Sequence, residues 1–125
     1  MKAVFSKSAP EPIGPYSQAI STGHFVFCSG QTPIDPALGK LIEGDIGAQA
    51  LQALTNLGEV LKAAGLSPAD VVKTTIFLID MADFAAVNSV YAKFFGDAKP
   101  ARSTVAVAAL PLDARVEIDC IARIP

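Results

Sequence analysis

The sequence predicts an α+β fold in which one mixed sheet carries two helices on one face, with residues 1–125 forming a single domain. Two observations point there. Short runs rich in β-branched and alternating apolar residues alternate with two longer segments whose apolar residues recur at steps of three and four. Their order is strands, helix, strand, helix, strands, which places the helices together on one side of a sheet.

The elements follow in chain order. Pro10-Glu11-Pro12-Ile13-Gly14-Pro15 reads as an ordered loop, because it is short and lies near the N-terminus. Residues 19–22 and 25–30 are β-prone and meet through Gly23-His24, so they read as a hairpin. A helix then begins near Asp45 with Ile46, Ala50, Leu54, Leu57, Leu61 and Ala64 on one face. Gly65 suits a left-handed cap and Leu66 can fold back on the last turn. Ser67-Pro68 reads as a cap followed by a short helical turn.

Residues 71–79 are rich in Val, Thr and Ile and read as a central strand. Asp80 is placed to cap a second helix, with Phe84, Val87, Tyr91 and Phe94 on one face and Gly96 at its end. Two strands close the chain, at residues 103–108 and 115–123. Because residues 104–108 are small or apolar on both alternating faces, that strand is expected to be buried on both sides, with another subunit as the second cover.

Composition removes several function classes. A net charge of −2 without clustered Lys or Arg argues against nucleic acid as the main partner. No apolar run approaches the roughly 20 residues of a membrane span, and the first residues carry no signal-peptide pattern, so a cytosolic protein is expected. Cys28 and Cys120 belong to no C-x-x-C and read as small buried thiols. His24, the one histidine, has no partners for a metal or a triad. Glycine-rich phosphate loops, H-E-x-x-H and nucleophile-histidine pairs are absent.

What remains is a set of polar residues in confined places. Arg102 stands at the entry to an apolar strand, where its planar guanidinium can grip a carboxylate through two parallel hydrogen bonds. Glu117 shares a strand face with Asp119; if that face is covered, desolvation raises its pKa unless Arg102 offsets it, making it a candidate base or water-orienting group. Tyr16 follows Gly14-Pro15 in a loop and can close over a ligand. Asn88 borders the apolar stripe of the second helix. At Ser29-Gly30 a hydroxyl can donate where glycine permits close backbone approach. Each of these residues also has a purely structural reading.

Together the segments Pro12-Ile13-Gly14-Pro15-Tyr16-Ser17-Gln18-Ala19, Ser29-Gly30-Gln31-Thr32-Pro33-Ile34-Asp35-Pro36, Val72-Lys73-Thr74-Thr75, Asp83-Phe84 with Val87-Asn88, and Pro100-Ala101-Arg102-Ser103 through Val116-Glu117-Ile118 resemble the reactive-intermediate deaminase family, RidA or YjgF. The resemblance runs in order over nearly the whole chain. It implies a chorismate-mutase-like fold and a homotrimer with ligand clefts between subunits. It also implies hydrolysis of 2-iminopropanoate and 2-iminobutanoate to 2-oxo acids and ammonia, with no cofactor. Under it Arg102 binds the substrate carboxylate, Glu117 positions or activates water, and Tyr16, Ser29, Gly30 and Asn88 line the cleft.

One position departs from that pattern. Many members carry Cys two residues after the arginine, whereas this chain has Thr104, which leaves a hydroxyl and no thiol nucleophile. Two other readings stand beside the deaminase: a non-catalytic trimer holding small carboxylates, and a ribonuclease or translation inhibitor. The acid opposite the arginine argues against the first, and the charge balance against the second.

Overall fold

A computed structural model describes residues 1–125. Eight strands and two α-helices run in the order β1 (Lys2–Val4), β2 (Ala19–Ser21), β3 (Phe25–Gln31), β4 (Ile34–Asp35), β5 (Lys40–Leu41), α1 (Ile46–Ala63), β6 (Val71–Leu78), α2 (Phe84–Phe95), β7 (Ala101–Ala106) and β8 (Val116–Arg123). Six strands form one sheet in the order β1-β2-β3-β8-β6-β7, and β4 with β5 makes a separate two-stranded ribbon. The large sheet is mixed: β6 and β7 are parallel and the other pairs antiparallel.

Both helices pack on one face. Alternation in β8 sends Val116, Ile118, Cys120 and Ala122 into the core, where they meet Leu54, Leu57, Val60 and Leu61 of α1. Leu54, Leu57 and Leu61 are wholly buried, so each contributes about 1.5–3 kcal/mol by leaving water. Helix α1 starts as the sequence predicts, with the Asp45 carboxylate accepting from the Ala48 N–H at 2.9 Å. It ends at Gly65 (φ 77°), where the N–H groups of Gly65 and Leu66 donate to Lys62 and Leu61 carbonyls, each at 2.9 Å, and Leu66 folds back against the core.

Several expectations are corrected. Asp80 caps a single 3-10 turn, Met81–Asp83, by accepting from the Ala82 N–H, and α2 begins only after it. Its buried stripe is Val87, Tyr91 and Phe95, with Phe84 and Phe94 partly covered, because the register follows steps of four to the last turn. The strand expected at 103–108 spans Ala101–Ala106. Hydrogen-bonded only to β6, it is an edge strand, covered by α2 on one face and open on the other, with Val105 42% exposed. The open face is the one for which the sequence predicts cover by another subunit. Cys28 and Cys120, distant in sequence, face each other across β3 and β8 as buried thiols.

Candidate functional site

The N-terminal loop is held by one buried amide. Gln18 accepts from the Ser6 N–H through Oε1 at 2.6 Å and donates from Nε2 to the Ser6 and Pro10 carbonyls at 3.1 and 2.9 Å. This fixes the loop that carries Tyr16 above β3. A second buried amide, Asn56 of α1, donates to the Thr32 and Ile34 carbonyls at 3.1 and 2.8 Å and pins the segment that follows β3. Between them lies a cavity of about 370 Å³ lined by Ile13, Tyr16, Ser29, Gly30, Thr32, Ile34, Pro111, Leu112 and Glu117.

Glu117 reaches this cavity from the sheet face opposite the helices. Burial raises its pKa, and the neighbouring carboxylate of Asp119 raises it further, so the carboxyl is poised to exchange a proton nearer neutrality than an ordinary glutamate. Gly30 touches it directly: a Cβ there would lie 2.7 Å from Oε2 of Glu117. Ser29 behaves differently from expectation. Its hydroxyl donates to the Ser17 carbonyl at 2.6 Å, so the proton is engaged in holding the loop and the oxygen faces a ligand only as an acceptor. Tyr16 is 53% exposed at the cavity rim.

Arg102 lies elsewhere, on the helix face of β7. Its Nη1 donates to Oδ1 of Asn88 at 2.8 Å, and its guanidinium carbon sits 4.8 Å from the Tyr91 ring centroid and 5.4 Å from that of Phe84. The Tyr91 hydroxyl shares a 2.7 Å hydrogen bond with Thr74 Oγ1 in the core. That bond fixes the ring under the cation. Asn88, Tyr91 and Phe84 thus orient the fork while its remaining donors stay free for a planar acceptor. Thr104, two residues on along the same face, has a buried Oγ1 with no hydrogen-bond partner in the chain.

A single copy does not bring Arg102 and Glu117 together. Arg102 is level with Thr74 on β6 and points with it toward the helices, whereas Glu117 is level with Phe77 on the opposite face. Two strand spacings and three residues along β6 separate them by about 14 Å before the sheet itself is counted. The predicted residues therefore form two patches. Tyr16, Ser29, Gly30 and Glu117 make one; Arg102, Asn88 and Thr104 make the other.

Sequence reasoning missed the apolar wall of the cavity, Ile13, Ile34, Pro111 and Leu112, which no local pattern marks. It placed Phe84 and Tyr91 in a core stripe and missed their second contact with Arg102. A hydroxyl in an apolar stripe was the available signal, because a buried tyrosine needs a polar partner.

Fold and patches define a class: a small α+β protein with an arginine patch on the helix side of the sheet and a carboxylate-lined cavity on the other, and with no cluster of three His, Cys, Asp or Glu able to hold a metal. The family follows. A model of the family described as Endoribonuclease L-PSP matches residues 6–124, and the chain belongs to this family, the YjgF/RidA family. RutC family protein PH0854 of Pyrococcus horikoshii is 52% identical over 97% of this chain and 96% of its own length. The 2-iminobutanoate/2-iminopropanoate deaminase of Bos taurus is 49% identical over 97% of this chain and 88% of its own. The crystal structure of E. coli TdcF with bound serine superposes with a TM-score of 0.95 at 41% identity, covering 100% of both chains. No helix is long and apolar enough to cross a membrane.

Proposed function

We propose that this chain hydrolyses small 2-imino acids such as 2-iminopropanoate and 2-iminobutanoate to 2-oxo acids and ammonia, in the cytosol and without a cofactor. The observation that carries the reading is the pair of complementary patches, a preoriented arginine and a desolvated carboxylate, each incomplete without the other. They meet when the open face and β7 edge of one copy meet the Glu117 cavity of another, in a homotrimer with clefts between subunits. The name carried by the Bos taurus relative supports the substrate class.

In this reading Arg102 of one copy holds the substrate carboxylate through two hydrogen bonds. Glu117 of the next copy accepts a proton from a water molecule, whose oxygen forms the new bond to the imine carbon. The C=N π pair moves to nitrogen and takes the proton that Glu117 has just accepted, giving a neutral carbinolamine. Glu117 then relays the hydroxyl proton to the amino nitrogen, and the carbinolamine collapses: the C–N bond breaks, ammonia leaves, and the C=O forms. Orientation accounts for most of the gain, since water and electrophile are held in reach of each other. Thr104 offers no thiolate, so water is the nucleophile.

The test follows 2-oxo acid release from freshly generated 2-iminopropanoate with the wild type, Arg102→Ala and Glu117→Gln. Acceleration by the wild type and its loss in both variants is the expected result; an unaccelerated imine sinks the reading. The serine bound to TdcF favours a second one, a non-catalytic trimer holding small carboxylates. Calorimetric binding of serine or a 2-oxo acid, abolished by Arg102→Ala, with no imine turnover, decides for it.

A further inference from the structure

The loop that enters β8 holds two adjacent non-glycine residues in the left-handed region, Leu112 (φ 59°, ψ 26°) and Asp113 (φ 58°). An L side chain rarely adopts that conformation even once. The loop is clamped at its exit. Ala114 is wholly buried and its N–H donates to the Pro111 carbonyl at 3.1 Å, while Arg115 Nη2 donates to both carboxylate oxygens of Asp83 at 3.0 and 3.1 Å. Such a clamp is what lets a strained backbone persist.

The strain does not serve the core. Leu112 is 54% exposed, and its side chain lines the Glu117 cavity beside Ile13, Ile34 and Pro111. A leucine placed on a costly backbone and left half in water gains little from burial in the chain itself. Its gain lies with whatever enters the cavity. The cavity lining is mixed: Glu117, Ser29 and Gly30 supply polar groups, and Ile13, Ile34, Pro111 and Leu112 supply apolar surface.

We propose that Leu112 is a specificity-determining residue, the part of the apolar wall that meets the alkyl group of the 2-imino acid and limits its length. The inference rests on the deaminase reading and deepens it. With the carboxylate on Arg102 and the imine carbon near Glu117, the substrate's remaining substituent turns to the apolar wall. Ile34 is buried and fixed by the Asn56 bond to its carbonyl, so it is a floor. Leu112 stands on a surface loop and sets how far a chain can extend.

The experiment compares kcat/KM for 2-iminopropanoate, 2-iminobutanoate and 2-imino-4-methylpentanoate, each generated in the assay, in the wild type, Leu112→Ala, Leu112→Gly and Arg102→Ala. Removing the leucine side chain is expected to raise the ratio of the branched to the three-carbon substrate by about tenfold, the scale of a few methylenes in an apolar pocket. Leu112→Gly is expected to do so with an unchanged or higher Tm, because glycine takes the left-handed conformation without penalty. Arg102→Ala is expected to lose all three substrates together. A wild type active on imines with the same ratio in both Leu112 variants overturns this inference alone. A wild type inert toward every imine overturns the deaminase reading and this inference with it.

Discussion

A methyl group on Gly30 would sit 2.7 Å from Oε2 of Glu117 and 2.9 Å from its Cγ, so the carboxylate occupies the space a side chain on β3 would fill. The backbone of Gly30 is not left-handed, and alanine fits its conformation. The Glu117 side chain has to swing from Cγ outward, because Cγ, Cδ and Oε2 would all lie under 3.0 Å from that methyl. Gly30→Ala is expected to fold with a lowered Tm while losing about a hundredfold in kcat, the penalty of a misplaced group of about 1 Å. A variant that folds and keeps its rate removes Glu117 from the chemistry.

Arg102 is held by a ring as much as by a hydrogen bond, and lysine, a point charge without the planar fork, cannot keep both contacts while also gripping a carboxylate through two parallel hydrogen bonds. Arg102→Lys is expected to raise KM by one to two orders of magnitude, which is about 1.4–2.8 kcal/mol of binding. Tyr91→Phe keeps the ring but strands the Thr74 hydroxyl in the core, at a cost of about 1–3 kcal/mol in stability. Its KM is expected to stay near wild type. Tyr91→Leu loses the ring and is expected to raise KM as well. Denaturant melts and steady-state kinetics on the three variants separate platform from core role; an equal KM for Phe and Leu ends the platform argument.

With Glu117 as the proposed base, the acid limb of kcat/KM is expected to report its carboxyl in the free protein. Burial and the Asp119 charge both raise its pKa, so the limb is expected above the ordinary glutamate range. Asp119→Asn removes the second cause, and the limb is expected to move to lower pH while the plateau rate holds. The stability sign is the converse. A raised folded-state pKa favours the protonated form, so the contribution is complete below the unfolded value of about 4.3 and is lost as pH rises through the folded one. Glu117→Gln stays neutral throughout, and its Tm relative to wild type is expected to be higher at neutral pH than in acid. Equal differences at both would show an unshifted carboxyl.

Much of the scaffold was legible because periodicity is a local signal. The stripe of α1, its Asp45 and Gly65 ends, and the alternation of β8 each follow from residues a few positions apart. Strands of two or three residues, β1, β4 and β5, are too short to show a period. The edge position of β7 was not legible, because small residues on both faces of a strand do not say which neighbours it pairs with. For the site, alternation in β8 put Glu117 and Asp119 on one face, but whether that face is covered, and the contact with Gly30, were not legible. That contact depends on β3 lying next to β8, a pairing made across about ninety residues of chain. The opposition of Arg102 and Glu117 likewise depends on β6 lying between their strands.

That opposition yields the most discriminating test of the assembly. If one copy supplies Arg102 and another Glu117, Arg102→Ala and Glu117→Gln are each expected to be inactive alone. Unfolded together and refolded as a mixture, they are expected to regain activity, because some clefts then combine the intact arginine of one variant with the intact glutamate of the other. Random mixing of equal amounts in a cyclic oligomer makes about one cleft in four complete, so recovery is expected near that fraction of wild type. The double variant mixed with wild type is the control, since it can only dilute active clefts. Recovery fails if each cleft draws both groups from the same copy, which would require the chain to fold differently around β7. A protein that runs as a monomer at assay concentration while still turning over imines would exclude the shared cleft outright, and Arg102 would then need another acid as its partner.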